Sequence, residues 1–169
     1  MDKTMKAHFQ TFSRYNTWAN RRLYEATATL SDEAKRLPRP AAYFGSLLGT
    51  LNHLLLVDQL WFDRVEGRPG RHTQLDGILY EDFAELRAAR EQEDAAIEAR
   101  VATMTDEALA ADLTYHTITG GQMRNPLHQV LSHIFNHQTH HRGQAHALLK
   151  DAGLMPPPLD LLYYLRDQG

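Results

Sequence analysis

Histidine is concentrated in one short stretch near the C-terminal end of the chain. Residues 136–146 read N-H-Q-T-H-H-R-G-Q-A-H, in which four of the eleven residues are histidine. On a helix that turns about 100° per residue, His133, His137, His141 and Gln144 fall on one stripe. A histidine pair spaced i, i+4 can chelate one metal ion from one helical face. His133/His137 and His137/His141 both have that spacing, so spacing alone leaves two candidate pairs.

A third metal ligand has to come from another helix. His53 lies among leucines in the segment L-N-H-L-L, and His8 lies in the first predicted helix. Three imidazole ligands leave at least one coordination position for water or substrate, as catalytic metal sites require. Two other interpretations stay open. The histidines can be buried residues with ordinary hydrogen-bond partners, or they can form an exposed, pH-sensitive surface.

Several well-known kinds of catalytic site are excluded. The chain has no cysteine, so a metal must be held by nitrogen and oxygen ligands and the protein has no thiol of its own. Gln138 stands where the H-E-x-x-H motif of zinc peptidases has its catalytic glutamate. The E-x-x-H pairs of di-iron bundles are absent, as are the G-x-S-x-G elbow and the glycine-rich phosphate-binding motifs.

The composition predicts a soluble globular protein. The 169 residues suffice for one domain with a core that needs no disulfide, and 43% of them are apolar and 23% charged. A net charge of -3 argues against binding to nucleic-acid phosphates. The first residues lack the apolar core of a signal peptide, and no apolar run is long enough to span a bilayer. We therefore expect a single cytoplasmic domain over residues 1–169, with neither nucleic acid nor membrane as partner.

Four long helices are expected to position the histidines. Apolar residues recur at helical spacing over residues 4–29, 46–65, 81–104 and from about 125 to 152. Asn125 and Pro126 are typical of a helix cap and a first helical turn, and Ser31 predicts the start of a further short helix. Residues 114–119 are the one β-leaning stretch. The sequence thus predicts an all-α four-helix bundle with long connections, on which the apolar tail 159–165 packs.

Four stretches resemble motifs of the DinB/YfiT-like family, whose members are damage-inducible bundle proteins. They are Y-N-T-W-A-N at residues 15–20, His53 followed by Asp58 and Trp61, H-Q-T-H-H-R-G-Q at 137–144, and D-L-L-Y-Y-L at 160–165. The resemblance covers most of the chain. The stretches at 137–144 and 160–165 are the most specific of the four.

The resemblance implies an up-down-down-up four-helix bundle, usually a homodimer, that holds one divalent metal ion. In the family this metal is often nickel or zinc, and three histidines bind it. By position in the motifs the ligands are His53, His137 and His141, so the resemblance selects the second of the two candidate pairs. Some family members are transferases or isomerases that use a low-molecular-weight thiol. The implied activity is therefore a metal-dependent thiol transfer to a small-molecule substrate, or hydrolysis of a small molecule.

Other residues near the motifs are candidates for supporting roles. Gln144 lies one turn beyond His141 and is a candidate for orienting a ligand or a bound water. Asp58 is a candidate catalytic base or partner of a ligand, and its favoured alternative is a polar role in the core or at an interface. Arg142 can bind an anionic substrate or form a structural ion pair. The functional alternative to an enzyme is a non-catalytic bundle that binds metal or takes part in a stress-related interaction.

Overall fold

Four long helices form the body of the protein in its computed structural model, which describes residues 4–40 and 42–168. The long helices are α1 (Met5–Ala28), α3 (Leu47–Val65), α4 (Phe83–Thr103) and α6 (Leu127–Asp151). Three short helices are α2 (Asp32–Arg36), α5 (Asp106–Ala110) and α7 (Leu161–Asp167). The two strands are β1 (Asp112–His116) and β2 (Gln122–Pro126). The four long helices predicted from the sequence are confirmed, with bounds that agree within about three residues.

Side-chain caps determine where the first five helices begin. The oxygens of Thr4, Ser31, Ser46, Asp82 and Thr105 each accept a hydrogen bond from the backbone N–H three residues later. Each cap satisfies one of the N–H groups that the first helical turn leaves without a partner. The cap at Ser31 that the sequence predicted is confirmed.

The long helices contact one another in a closed ring. α1 packs against α4, α4 against α3, α3 against α6, and α6 against α1. Leu23, Leu51, Leu55 and Leu149 are fully buried in one part of the core. Burial of each such side chain contributes about 1.5–3 kcal/mol. This ring is compatible with a four-helix bundle, and the up-down-down-up order of its helices stays a prediction.

The small β-sheet corrects the expectation of an all-α protein. β1 and β2 pair antiparallel, with Tyr115 opposite Met123. Leu113 and Tyr115 are half-buried against the helices while their neighbours in β1 are exposed, which is the alternation of a strand with one covered face. Gly120, at φ +87°, provides the left-handed residue in the turn between the strands. The β-leaning stretch 114–119 had indicated β1, whereas no pattern in the sequence had indicated β2.

The predicted cap of the last long helix is wrong. α6 begins at Leu127, and the residue in the cap position is Pro126, which has no side chain that can accept a hydrogen bond. Asn125 belongs to β2 instead, where its Oδ1 accepts a hydrogen bond from the hydroxyl of Tyr115 at 3.1 Å. Asn125 therefore forms a hydrogen bond between the two strands and does not cap α6.

The C-terminal tail packs on α1, as the sequence predicted. Tyr164 of α7 is buried against Tyr15, Trp18 and Ala19. The hydroxyl of Tyr15 donates a hydrogen bond to the carbonyl of Leu159 at 2.7 Å.

Among the described helices, none combines the length and the apolar content that crossing a membrane requires.

Candidate metal centre

The contact between α3 and α6 brings three histidines together. His53 comes from α3, and His137 and His141 come from successive turns of α6. One ring nitrogen from each of them lies within 4.8 Å of the other two. His53 is buried, whereas His137 and His141 are half-buried. These are the three residues that the family resemblance selects, and their role as metal ligands stays a prediction.

The ring of His53 is fixed by the connection that follows α3. Its Nδ1–H donates to the carbonyl oxygen of Leu75 at 2.7 Å. A carbonyl can only accept, so the proton is on Nδ1 and the lone pair is on Nε2. The ring of Phe44 stacks on the imidazole, with 3.7 Å between centroids and 18° between planes. His53 is therefore held in one orientation with its basic nitrogen directed towards α6.

The ring of His141 is fixed by a glutamine on the same helix. Its Nδ1–H donates to Oε1 of Gln144 at 2.7 Å, which leaves the lone pair on Nε2. The amide Nε2–H of Gln144 donates in turn to Nε2 of His140 at 3.2 Å. Histidines that bind metals typically donate their second ring N–H to an oxygen in this way, which sets the tautomer. Gln144 thus orients one candidate ligand.

The ring of His137 completes the group. Its Nε2 lies 3.1 Å from Nε2 of His53. Its Nδ1 is buried and has no hydrogen-bond partner within the described part of the chain. Two imidazole nitrogens bound to one zinc ion at about 2.0–2.1 Å in tetrahedral geometry are about 3.3–3.4 Å apart. The 3.1 Å separation is close to that distance and is also that of a hydrogen bond between the two rings. An all-imidazole donor set suits zinc or nickel.

Burial keeps the three imidazoles neutral. It lowers the pKa of His53 to about 4, with a smaller effect from the neighbouring His141. It lowers the pKa of His137 to about 3, again with smaller effects from the other histidines. Burial also lowers the pKa of His141. At neutral pH the rings are therefore unprotonated and have a lone pair available, as metal binding requires.

An open cavity of about 610 Å³ lies over the three histidines. Its walls include the aromatic rings of Tyr43 and Phe44, the residues Leu75 and Asp76 of the connection after α3, and His140. Tyr43 is 84% exposed and stands at the rim. The arrangement gives a small molecule access to the histidines from one side. Asp76, an exposed residue of the cavity wall, was not predicted from the sequence. It lies in an irregular connection, where no helical or strand periodicity indicates which residues face a site.

Two other candidate histidines lie outside this group. His8 is exposed on α1 and packs its ring beside Phe12, 4.7 Å between centroids. His133 packs beside Trp61, 5.1 Å between centroids, and lines a different cavity. His133 therefore does not join the group formed by His53 and His137. Of the two candidate pairs, it is His137/His141 that lies beside His53.

The structure places Asp58 in a buried ion network instead of the cavity. Its Oδ2 lies 2.8 Å from the guanidinium of Arg90, which also contacts Asp94 at 2.9 Å. All three side chains are almost completely buried. Burial raises the pKa of Asp58 to about 6, and the Arg90 guanidinium opposes that rise. Asp58 therefore joins α3 to α4 and does not line the cavity over the histidines.

Arg142 extends the same network to α1. Its guanidinium donates to the side-chain oxygens of Asn16 and Asn20. The amides of both asparagines donate to Asp94 of α4, that of Asn20 at 3.0 Å. Arg142 follows His141 in the sequence. Its hydrogen-bond partners on α1 are the neutral side-chain amides of these two asparagines. These bonds fix the rotation of α6 relative to the other helices.

The sequence matches a known family over nearly its whole length. The model of the DinB family matches residues 1–168. The chain belongs to the DinB family. The curated protein named DinB of Bacillus subtilis (strain 168) is 26% identical over 155 residues, which cover 89% of this chain and 90% of that protein.

A solved structure shares the fold. The crystal structure of a DinB-like protein from Bacillus cereus ATCC 10987 superposes with a TM-score of 0.65. The two sequences are 22% identical, and the match covers 87% of this chain and 94% of that one. The arrangement of helices described above is therefore that of a DinB-like protein.

Proposed function

We propose that this DinB-family protein binds one divalent metal ion through the Nε2 atoms of His53, His137 and His141 and works as a metal-dependent enzyme. One observation carries the proposal. The Nδ1–H groups of His53 and His141 each donate to an oxygen, so the lone pairs of both rings are on Nε2, and that of His53 lies 3.1 Å from Nε2 of His137. Such fixed tautomers suit a metal site better than a set of packing histidines.

The open side of the site favours catalysis over a closed binding role. Within the described residues the cluster consists of three histidines, and no fourth histidine, aspartate or glutamate joins it. A structural metal site normally has four protein ligands, whereas a catalytic site keeps a position for water or substrate. The cavity of about 610 Å³ gives a small molecule access to that position. The alternative, a non-catalytic metal-binding or stress-related bundle, has no comparable observation in its favour.

The proposed reaction is transfer of a low-molecular-weight thiol to a small molecule, or hydrolysis of a small molecule. A bound divalent metal lowers the pKa of a thiol or water that it coordinates. The chain has no cysteine, so the thiol must be a second substrate. Phe44 and Tyr43 offer apolar surface for the substrate beside the histidines. Gln144 and the Leu75 carbonyl hold the rings in place.

Family membership supports the remaining parts of the proposal. They are zinc or nickel as the metal, an up-down-down-up arrangement of the four long helices, and a homodimer. The closed ring of contacts among α1, α4, α3 and α6 agrees with that arrangement. The all-imidazole ligand set agrees with either metal.

The first test is the metal content of untagged protein by elemental analysis. We expect about one metal ion per chain in the wild type and loss of the metal in His53→Ala and His137→Ala, with helical circular dichroism retained. His133→Ala is the matched control, because His133 lies one turn from His137 and outside the cluster. A wild type that binds neither nickel nor zinc after incubation would disprove the metal site.

A second test separates an enzyme from a binding module. The metal-loaded protein is incubated with a panel of low-molecular-weight thiols and electrophilic small molecules, and the loss of free thiol is measured. A parallel panel of small esters and amides measures hydrolysis. Turnover that disappears in His137→Ala supports the enzyme. Full metal loading with no turnover in either panel would favour the non-catalytic alternative.

A further inference from the structure

Arg64, near the C-terminal end of α3, is a half-buried arginine. Across residues 4–40 and 42–168, no carboxylate lies within ion-pair distance of its guanidinium, whose neighbours are the rings of Trp61 and Tyr115. Burial lowers the pKa of Arg64, and its group remains a cation at any physiological pH. A partly desolvated cation is unfavourable unless an anion or a hydrogen-bond acceptor satisfies it.

The nearby arginines differ from Arg64 in being fully paired. Asp63 is buried and accepts from Arg68 at 2.9 Å and from Arg71 at 2.9 Å. Arg68 also contacts Glu66 at 2.5 Å. The carboxylates of this region are thus already engaged, and they do not neutralise Arg64. The half-buried guanidinium of Arg64 is therefore available to water or to an anionic ligand.

Two aromatic rings hold the guanidinium of Arg64 in place. It lies 4.6 Å from the centroid of the Trp61 ring and 5.6 Å from that of Tyr115. The two rings are themselves in edge contact, with 5.2 Å between centroids. Stacking occupies the face of a guanidinium and leaves the N–H groups along its edge free for hydrogen bonds. Arg64 is therefore preorganised to donate to a planar or tetrahedral anion.

A cavity of about 460 Å³ opens beside Arg64, between the end of α3 and the β-hairpin. Among the residues that the structure describes, no aspartate or glutamate lines this cavity. The wall residues that provide positive charge or hydrogen-bonding groups include Arg64, Arg68, His72, His116, Thr73 and Thr114. A volume of this size is within the range of small-molecule sites. The lining favours a negatively charged ligand and disfavours a cation.

We propose that this cavity binds the anionic group, a phosphate or a carboxylate, of a small molecule, with Arg64 as its principal contact. The guanidinium presents parallel N–H donors that match either group. The hydroxyls of Thr73 and Thr114 supply neutral donors at the wall. None of the three clustered histidines lines this cavity, so the site is separate from the candidate metal centre and does not depend on it.

Trp61 makes the proposal directly testable, because it touches the residue that would bind the anion. The chain has two tryptophans, and Trp18→Phe leaves Trp61 as the sole indole reporter. This variant is titrated with inorganic phosphate and with succinate, each against sodium chloride at equal ionic strength. We expect a saturable change in fluorescence with phosphate, with succinate or with both, and no saturable change with chloride.

Variants of Arg64 show whether it makes the contact. In the same background, Arg64→Met is expected to weaken binding of the effective anion by about tenfold or more, since a hydrogen-bonded charge contact is lost. Arg87→Met, which removes the same charge from the exposed face of α4, is expected to leave the affinity unchanged. If Arg64→Met fails to fold, Arg64→Lys replaces it, and binding is again expected to weaken because the two parallel donors are lost.

The outcomes separate the two ligand chemistries and can reject the site. A response to phosphate alone identifies a phosphorylated ligand, and a response to succinate alone identifies a carboxylate. Equal responses to phosphate, succinate and chloride would overturn the proposal, since they would reflect ionic strength only. Wild-type affinity in a folded Arg64 variant would overturn it as well.

Discussion

His53 and Leu75 are joined by a hydrogen bond of 2.7 Å, in which the ring Nδ1–H donates to the backbone carbonyl. The connection between α3 and α4 thereby decides which nitrogen of His53 faces α6. The preceding residue, Asn52, binds the same connection. Its Oδ1 accepts from the backbone N–H groups of Leu79 and Tyr80, at 2.8 and 2.9 Å, and its Nδ2 donates to the Tyr80 carbonyl at 3.1 Å. Two successive residues of α3 therefore hold this connection in place.

Asn52→Leu is expected to lower both stability and metal affinity. The variant leaves the backbone groups of Leu79 and Tyr80 without their partner, and the expected loss is about 2 kcal/mol or more. Movement of Leu75 should also weaken metal binding. Urea unfolding of metal-free protein and a metal titration measure the two effects. Asn136→Leu, on the exposed face of α6, is the control. Unchanged metal affinity in Asn52→Leu would show that Leu75 is held without it.

Gln144→Met is expected to weaken metal binding by about 10- to 100-fold with little loss of stability. The substitution keeps the side-chain volume and removes the oxygen that fixes the His141 tautomer. A competition titration against a chromophoric chelator measures the affinity. His140→Ala is the control, because it removes the other partner of Gln144 and keeps the bond to His141. Equal affinities in wild type and Gln144→Met would mean that His141 needs no such support.

Arg90→Met is expected to destabilise the protein by about 3–5 kcal/mol, because it leaves two buried carboxylates without their counter-charge. Asp58 and Asp94 both contact this guanidinium. Arg87→Met on the same helix removes the exposed i, i+4 pair with Glu91. Its expected effect is about 0.5 kcal/mol or less. Urea unfolding compares the two variants, and similar losses in both would contradict the importance of the buried network.

Metal-free protein is expected to lose stability as the pH falls from about 6.5 to about 4. The pKa values of His53 and His137, about 4 and about 3, lie below the value of about 6.5 for histidine in an unfolded chain. In that window the unfolded chain binds more protons than the folded protein. The free energy of unfolding therefore rises with pH and falls on acidification.

Urea midpoints measured in the presence of a chelator at several pH values test this dependence. His137→Asn removes one of the groups responsible and should flatten the slope, whereas His116→Asn, on the exposed side of β1, should leave it unchanged. A slope that is the same in wild type and His137→Asn would contradict the assignment.

The parts of the fold that depend on local sequence could be predicted. The long helices follow from apolar periodicity, and Ser31 marks its helix because a cap is a contact within one turn. The strand Gln122–Pro126 could not be predicted in this way. Its residues have little strand preference, and they are extended because β1 lies beside them. The same pairing draws Asn125 away from the helix start where the sequence had placed it.

The candidate site was predictable only through the resemblance to a family. Helical spacing treats His133 and His141 as equivalent neighbours of His137, and the structure distinguishes them through their surroundings. His133 packs on Trp61, whereas His141 packs near His53, with 4.5 Å between ring centroids. The role of the Leu75 carbonyl could not be predicted from the sequence. Every residue has a backbone carbonyl, and the position of this one depends on the path of the connection between α3 and α4.

His53 and His137 are 84 positions apart along the chain. His53 and His137 lie on different helices, so an ion bound to both rings would link two segments that are far apart along the chain. Such an ion can bind only after α3 and α6 have docked. Metal loading would therefore report tertiary assembly, whereas circular dichroism reports helix content. In a metal-supplied preparation that keeps the three histidines and their hydrogen-bond partners, native helicity without loading would indicate helices that have formed without docking.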